Sequence, residues 1–186
     1  MEFNSLPQTS THPIVSFQEH LIELGGIIQD LPASDDLEVA FSRIQQETPA
    51  GAGAKFRVVR EGRPRGLRPV IRQEAYRIGR EAVLNAFRHS GASRVEVDLE
   101  YAPTRLRVTV RDDGKGIMPG LLGSGCGGHR GLSAMRDLAE QMGAKLKLLS
   151  RVAAGTEVEL SIPGGIAFSS PTKLRRLGWP CMSEAA

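Results

Sequence analysis

The chain has almost no cysteine. Cys126 and Cys181 are the only two in 186 residues, which excludes a disulfide framework of the secreted kind and leaves no CxxC pair for a metal or a redox couple. A reducing, cytoplasmic setting is the expectation. Long apolar runs are missing too. Nothing approaches the roughly 18 consecutive apolar residues that a membrane span requires, and no basic segment followed by an apolar run opens the chain. A membrane segment is therefore not expected. Aromatic residues make up 5% of the sequence, with one Trp, so little is available for stacking on nucleic-acid bases. Lysine is scarce as well, 5 against 19 Arg, and the formal net charge is +3. That balance hints at anionic ligands and no more. The length suits one domain of about 100–200 residues with some chain to spare.

Residues 1–13 carry two Pro among polar residues and no periodicity, and read as a disordered lead. Residues 14–50 read as a helical connecting segment. Phe17, Leu21, Leu24, Ile27 and Ile28 have helical spacing, and Ser34 can cap a second helix through Leu37, Ala40, Phe41 and Ile44. The next stretch, 55–163, reads as strand, helix, strand, strand, Gly-rich loop, helix, strand, strand. Residues 55–60 alternate as a strand, and 67–89 predict a long helix in which Gly79 costs about 1 kcal/mol relative to Ala. Residues 94–101 and 105–110 predict a hairpin with a three-residue loop, 132–142 a helix stopped by Gly143, and 144–150 and 156–162 two closing strands. That order predicts an α+β fold: a two-layer α/β sandwich whose mixed, mainly antiparallel sheet is covered by helices on one face. Residues 164–186 read as a flexible tail.

Four features could carry chemistry. On the long helix Glu81, Asn85, Arg88 and His89 fall within about 100° at α-helical spacing, at the edge of the apolar face. A carboxylate, an amide and cations in one stripe suit phosphates and Mg²⁺. The ion takes hard oxygen ligands and keeps waters, and the carboxylate can orient or deprotonate a nucleophile. An ordinary amphipathic helix would carry the same residues. The second feature is Asp112-Asp113-Gly114-Lys115-Gly116 at a strand end, where a carboxylate can accept from an exocyclic amine and glycines let a flat ring approach the backbone. It could equally be a turn. The third, GSGCGGHRG over 123–131, leads into a helix whose first N–H groups can face an anion. Gly155-Thr156 is the weakest, since most such pairs are turns. Neither GxxxxGK[ST] nor a helix-opening GxGxxG is present.

In this order the motifs resemble those of the histidine-kinase-type ATPases. RIGREAVLNAFRHSGASRVEVDLEY looks like the N box, DDGKGI like the first Gly box, GHRGLSAMRDLAEQMGA like the second and GTEVELSIP like the closing one, over roughly residues 65–163. The wording is that of sensor histidine kinases of the short-lid subgroup, whose full-length members often pair with LuxR-type response regulators. The resemblance implies a Bergerat sandwich that binds ATP and Mg²⁺ between the N-box helix and a lid. It implies Asn85 as the Mg²⁺ ligand, Glu81 as the water-orienting or base-like catalytic carboxylate, and Arg88 and His89 as the basic pair near the phosphates. Asp112 would read the adenine amino group, Gly114, Gly116 and Ile117 would line the adenine pocket, Gly128, Gly131 and Leu132 would belong to the lid, and Thr156 would lie by the adenine.

Phosphoryl transfer in such a family goes to a histidine on a dimeric helical hairpin and then to a response regulator. His20, in SFQEHLIEL, lacks the usual neighbours of such an acceptor, so the chain reads as a catalytic domain without its own phosphoacceptor hairpin, cut from or degenerated from a longer kinase that could itself be membrane-anchored. The alternative reading is a stand-alone serine kinase and anti-sigma binding module on the same fold. A nucleic-acid module is a third, motivated by nine cations from Lys55 to Arg80 against Glu61 and Glu74. It is weakened by the two aromatics, Phe56 and Tyr76, that interleave with them, so no nucleic-acid partner is expected.

Overall fold

The computed structural model describes residues 31, 36–47, 53–117 and 130–169. The chain divides into two compact units, Met1–Pro32 and Ala33–Ala186, and the fold below is that of the second. The expected helix over 16–28, the Ser34 cap, residues 123–129 of the expected Gly-rich lid and the tail from 170 lie outside the described residues.

Period-two alternation governs the sheet. In β2 (Arg94–Ala102) Val95, Val97, Leu99 and Tyr101 are buried, and in β3 (Arg105–Asp112) Leu106, Val108 and Val110 are, so one face is apolar along its length. β1 (Lys55–Gly62) pairs parallel with β2, and β2, β3, β5 (Gly155–Pro163) and β4 (Lys145–Arg151) pair antiparallel in the order β1-β2-β3-β5-β4. The parallel pair needs a crossover, and the long helix α2 (Pro69–Asn85) lies between those two strands in the chain. Ile71, Ala75, Ile78 and Ala82, three or four apart, form its buried stripe. Pro69, with its fixed φ and missing N–H, opens the helix after an extended Arg68. Helices thus cover one face of a mixed sheet, the expected α+β sandwich.

The other face neutralises itself. From β1 to β4 the strands present Arg57, then Glu96, Asp98 and Glu100, then Arg105, Arg107 and Arg111, then Glu157 and Glu159, then Lys147. From β2 to β4 each row of one sign sits beside a row of the other, while on β1 Arg57 faces Glu96 and Glu61 faces Glu100. Arg111 bridges Asp98 and, at 2.6 Å, Glu157; Arg107 bridges Glu100 and, at 3.5 Å, Glu159; Lys147 lies 3.2 Å from Glu159, and Arg57 pairs with Glu96. Individually such half-exposed pairs stabilise little, but opposite charges on adjacent strands also disfavour register slips.

Four boundaries differ from the sequence expectation. The helix α1 (Leu37–Glu47) is part of this core rather than a connector outside it: Leu37, Phe41 and Ile44 are fully buried, and the Phe41 ring lies 5.4 Å from that of Tyr76. The expected 67–89 helix is α-helical only to Asn85 and then widens into a π-helical turn, Ala86–Ser90. The β2–β3 loop has two residues, not three, because Ala102 still pairs with Arg105. Finally, the chain does not leave the domain at residue 164. A short helix, α4 (Gly164–Ala167), buries Ala167 and Phe168, Phe168 bridges to Leu67, and the Arg65 guanidinium lies 3.7 Å above the Phe168 ring.

Gly79 also changes meaning. A Cβ built there would stand 2.5 Å from the Phe41 ring and 3.4 Å from Val108. The missing side chain is where α1 docks on α2, so the local helix cost is offset by tertiary packing. Gly79→Ala should therefore destabilise the fold by about 1–3 kcal/mol, as overpacking does, although Ala is the better helix former. Urea unfolding would check this: a gain in stability would contradict the docking role.

Candidate nucleotide-binding site

Where the sheet ends beside the π turn, a cavity of about 490 Å³ opens between α2 and strands β3, β5 and β4. Its floor follows from register. Val110 pairs with Val158, which pairs with Leu148, making an apolar row; one step on, Asp112 pairs with Thr156, which pairs with Ser150, making a polar row. Ala82 and Ala86 from the α2 side and Leu132 and Met135 from α3 (Arg130–Gln141) complete walls suited to a flat apolar ring.

Asp112 is the polar group at the floor's end. Its Oδ1 accepts from the Gly114 backbone N–H at 2.9 Å, and the Thr156 backbone N–H also faces it, while the Ser90 hydroxyl gives its proton to the Ala86 carbonyl at 2.7 Å. Burial nonetheless dominates and raises its pKa above the ordinary carboxylate value, against the lowering effect of the Gly114 and Thr156 donors. The neighbouring Asp113 does the opposite work. Its Oδ1 accepts from the backbone N–H of Ser93 and Arg94, both at 2.8 Å, and its Oδ2 from the Ser93 hydroxyl at 2.8 Å and Arg94 Nε at 3.0 Å. These donors hold Asp113 well below the usual carboxylate range. Asp113 thereby ties the segment after β3 to the start of β2.

The glycines of this segment permit close approach. A Cβ on Gly116, at φ +70°, would stand 2.2 Å from the Arg151 carbonyl oxygen, and one on Gly155, at φ +88°, 1.9 Å from that of Asp112. Gly114 lies as tightly on the backbone of Ser90.

Of the residues expected at the site, Asn85, His89, Asp112, Gly116, Ile117, Leu132 and Thr156 line the cavity. Glu81 stands just outside it, paired with Asn85, whose Nδ2 donates to Glu81 Oε1 at 3.3 Å. Gly131 abuts that carboxylate: a Cβ there would be 2.7 Å from Glu81 Oε1. Arg88 is exposed and does not line the cavity, because the π turn abandons the α-helical spacing on which the four-residue stripe was reckoned. Gly128 lies outside the described residues. Sequence reasoning gave no role to the remaining apolar walls, to Lys115 within its motif, or to Ser90. Val110 and Val158 were in fact signalled, being two residues from Asp112 and Thr156 on the same strand faces; Met135 and Leu148 had no comparable local sign.

The donor set fits a metal that arrives on phosphates. Among the described residues no group of three His, Cys, Asp or Glu could hold a bare ion. Asn85 turns its nitrogen to Glu81, which leaves its hard amide oxygen as the donor.

The sequence profile described as "Histidine kinase-, DNA gyrase B-, and HSP90-like ATPase" matches residues 71–166, more than half of the chain, and the chain belongs to that family. Among curated relatives, the sensor histidine kinase LiaS of Bacillus subtilis is 33% identical over 93 residues, 50% of this chain and 25% of LiaS. The nitrate/nitrite sensor protein NarX of Escherichia coli is 36% identical over 81 residues, 44% of this chain and 13% of NarX. The chain therefore spans at most a quarter of these two relatives. Among solved structures, the blue-light activated histidine kinase EL346 of Erythrobacter litoralis aligns with a TM-score of 0.56 at 26% identity, over 78% of this chain and 44% of that one. Full-length ShkA in complex with AMPPNP aligns with a TM-score of 0.62 over 87% of this chain and 37% of that one; at 19% identity this likeness concerns the fold.

The Asp113 clamp has a pH consequence. A carboxylate whose pKa is depressed by folding contributes stability that is present above its unfolded value of about 3.9 and is lost as pH falls below it. Asp113→Asn should flatten the acid limb of the stability curve below about pH 4 while leaving its slope near neutrality unchanged. Urea midpoints measured across that range would show it; parallel curves for the two proteins would contradict the clamp.

Proposed function

We propose that this chain is the cytoplasmic catalytic ATP-binding domain of a sensor histidine kinase. It would bind Mg-ATP in the cavity and transfer the γ-phosphoryl group to a histidine on a separate dimerisation hairpin, for relay to a response regulator of the LuxR type. The observation that carries the reading is the Asp112 carboxylate at the end of an apolar slot between Ala82, Ala86, Val110 and Val158. An acceptor at the edge of a flat apolar pocket suits the exocyclic amine of adenine.

From that placement the other residues take their work. Apolar walls exclude water from the ring, and at one side of the slot Gly116 approaches without side-chain bulk while Ile117 adds an apolar side chain. Asn85 would hold Mg²⁺ through its amide oxygen, and the ion, when bound, supplies charge neutralisation on the phosphates. Glu81, in contact with Asn85, would orient the accepting group or take its proton at a carboxylate oxygen. His89 adds a donor on the α2 side of the mouth. With little covalent chemistry needed from the protein, alignment and electrostatics carry most of the catalysis.

Phosphotransfer is tested by mixing the chain with ATP and a histidine-bearing helical hairpin from a sensor histidine kinase. Acid-labile, base-stable phosphate on the hairpin is expected. Phosphoserine on a small protein substrate instead would favour the stand-alone serine kinase and anti-sigma reading.

Two substitutions probe binding itself. Asp112→Asn should weaken ATP by about 10–100-fold, the loss of a hydrogen bond to a charged acceptor, and leave tripolyphosphate affinity unchanged. Because burial raises the Asp112 pKa, wild-type ATP affinity should also fall on acidification earlier than an ordinary carboxylate would allow, and the variant should lack that step. Asn85→Ala should leave the fold intact and abolish the difference in ATP affinity between Mg²⁺ and EDTA, measured by calorimetry. An undiminished Mg²⁺ effect would contradict the assignment.

A further inference from the structure

Ser150 does not line the cavity, yet it is bonded to the residues that do. Its Oγ accepts from the Ile117 backbone N–H at 2.8 Å, lies 3.0 Å from Thr156 Oγ1 and lies 3.2 Å from the Gly155 carbonyl oxygen. It is the third member of the polar row Asp112–Thr156–Ser150 that runs across β3, β5 and β4. The rest of the join between the first glycine segment and the β4–β5 turn is backbone: Ala153 N–H donates to the Lys115 carbonyl at 2.8 Å, and Gly116 packs on Arg151. To this backbone join Ser150 adds a side-chain bond, to the Ile117 N–H.

We propose that Ser150 is a positioning residue for purine recognition, an inference that rests on the ATP-binding reading above. Its hydroxyl fixes two walls of the slot together. It sets the corner at Gly116 and Ile117, and it constrains the Thr156 hydroxyl beside the Asp112 carboxylate. The proton count gives the second effect its content. Ser150 has one proton for two neighbours. If it is given to Gly155, Thr156 must donate back and keeps only lone pairs for the cavity; if it is given to Thr156, the Thr156 proton is free to meet a ring nitrogen. Either way the Thr156 hydroxyl is not a free rotor, and a purine edge meets a defined partner. Removing the Ser150 oxygen releases both the corner and the rotor, with no group lost from the cavity wall itself.

The test compares the full-length chain with its Ser150→Ala variant, using Mg-ATP, Mg-GTP and tripolyphosphate as probes. ATP affinity should fall about three- to tenfold, the range for one or two neutral hydrogen bonds. Discrimination between ATP and GTP should narrow, and tripolyphosphate affinity and the melting temperature should hold. In ligand-free protein the Ile117 amide should be protected from hydrogen exchange, and that protection should vanish in the variant. Unchanged ATP affinity and selectivity would overturn the proposal, as would equal losses for ATP and tripolyphosphate with a lowered melting temperature, which mark a merely structural serine. Wild-type protein that fails to bind ATP counts against the ATP-binding reading instead, and the Ile117 exchange measurement still judges the hydrogen bond.

Discussion

One close backbone contact organises the site. The Asp112 carbonyl and the Gly155 backbone meet where any side chain at 155 would collide, and the same intimacy recurs between Gly116 and Arg151. These contacts let the segment after β3 lie flat against the β4–β5 turn, so that Asp112, Thr156 and Ile117 face one cavity instead of splaying apart. Polar side chains then lock what the glycines permit: Asp113 from the β2 side and Ser150 from the β4 side. The floor of the slot is consequently flanked by tightly packed backbone, which suits a pocket that must hold a ring in one plane.

The sheet divides its labour between faces. On the helix side, alternation delivers Val108, Leu106, Leu160 and Ile162 to the core and ends in the cavity. The opposite side is committed to ion pairs, and these, together with pairs made on the helix side, account for much of the arginine that composition alone left unexplained. Arg57, Arg60, Arg77, Arg94, Arg105, Arg107 and Arg111 each meet a carboxylate, while Arg65 and Arg68 donate to the Pro103 and Gly165 carbonyls. Arg107 and Arg111 each reach two carboxylates at once, which a planar fork with five donors does and a lysine ammonium does poorly. The basic run from residue 55 to 80, a possible nucleic-acid surface by sequence, is thus in good part internal electrostatics.

Much of the fold was legible because it is local. Period two in β2 and β3, the stripe on α2 and the glycine after α3 each announce themselves within a dozen residues. The site was legible where chemistry is concentrated in a motif, as at Asn85, Asp112 and Thr156. What stayed hidden depends on partners far away in the chain. The amphipathic pattern of α1 shows that it buries a face, not that Phe41 enters the gap left by Gly79. The helical wheel assumes 3.6 residues per turn and so misplaces Arg88 once the π turn begins. Met135 and Ser150 carry no local mark of their positions, since those arise only when α3 and β4 close on the sheet.

The central claim is that the slot ending at Asp112 takes the adenine of ATP. It is tested most directly by titrating isotope-labelled protein with Mg-AMPPNP and mapping amide shifts. Saturable changes at Ala86, Gly114, Ile117 and Thr156, with Asp98 and Arg111 on the ion-paired face unmoved, are the result this account predicts. Changes centred on that charged face, or none at millimolar nucleotide, would contradict it.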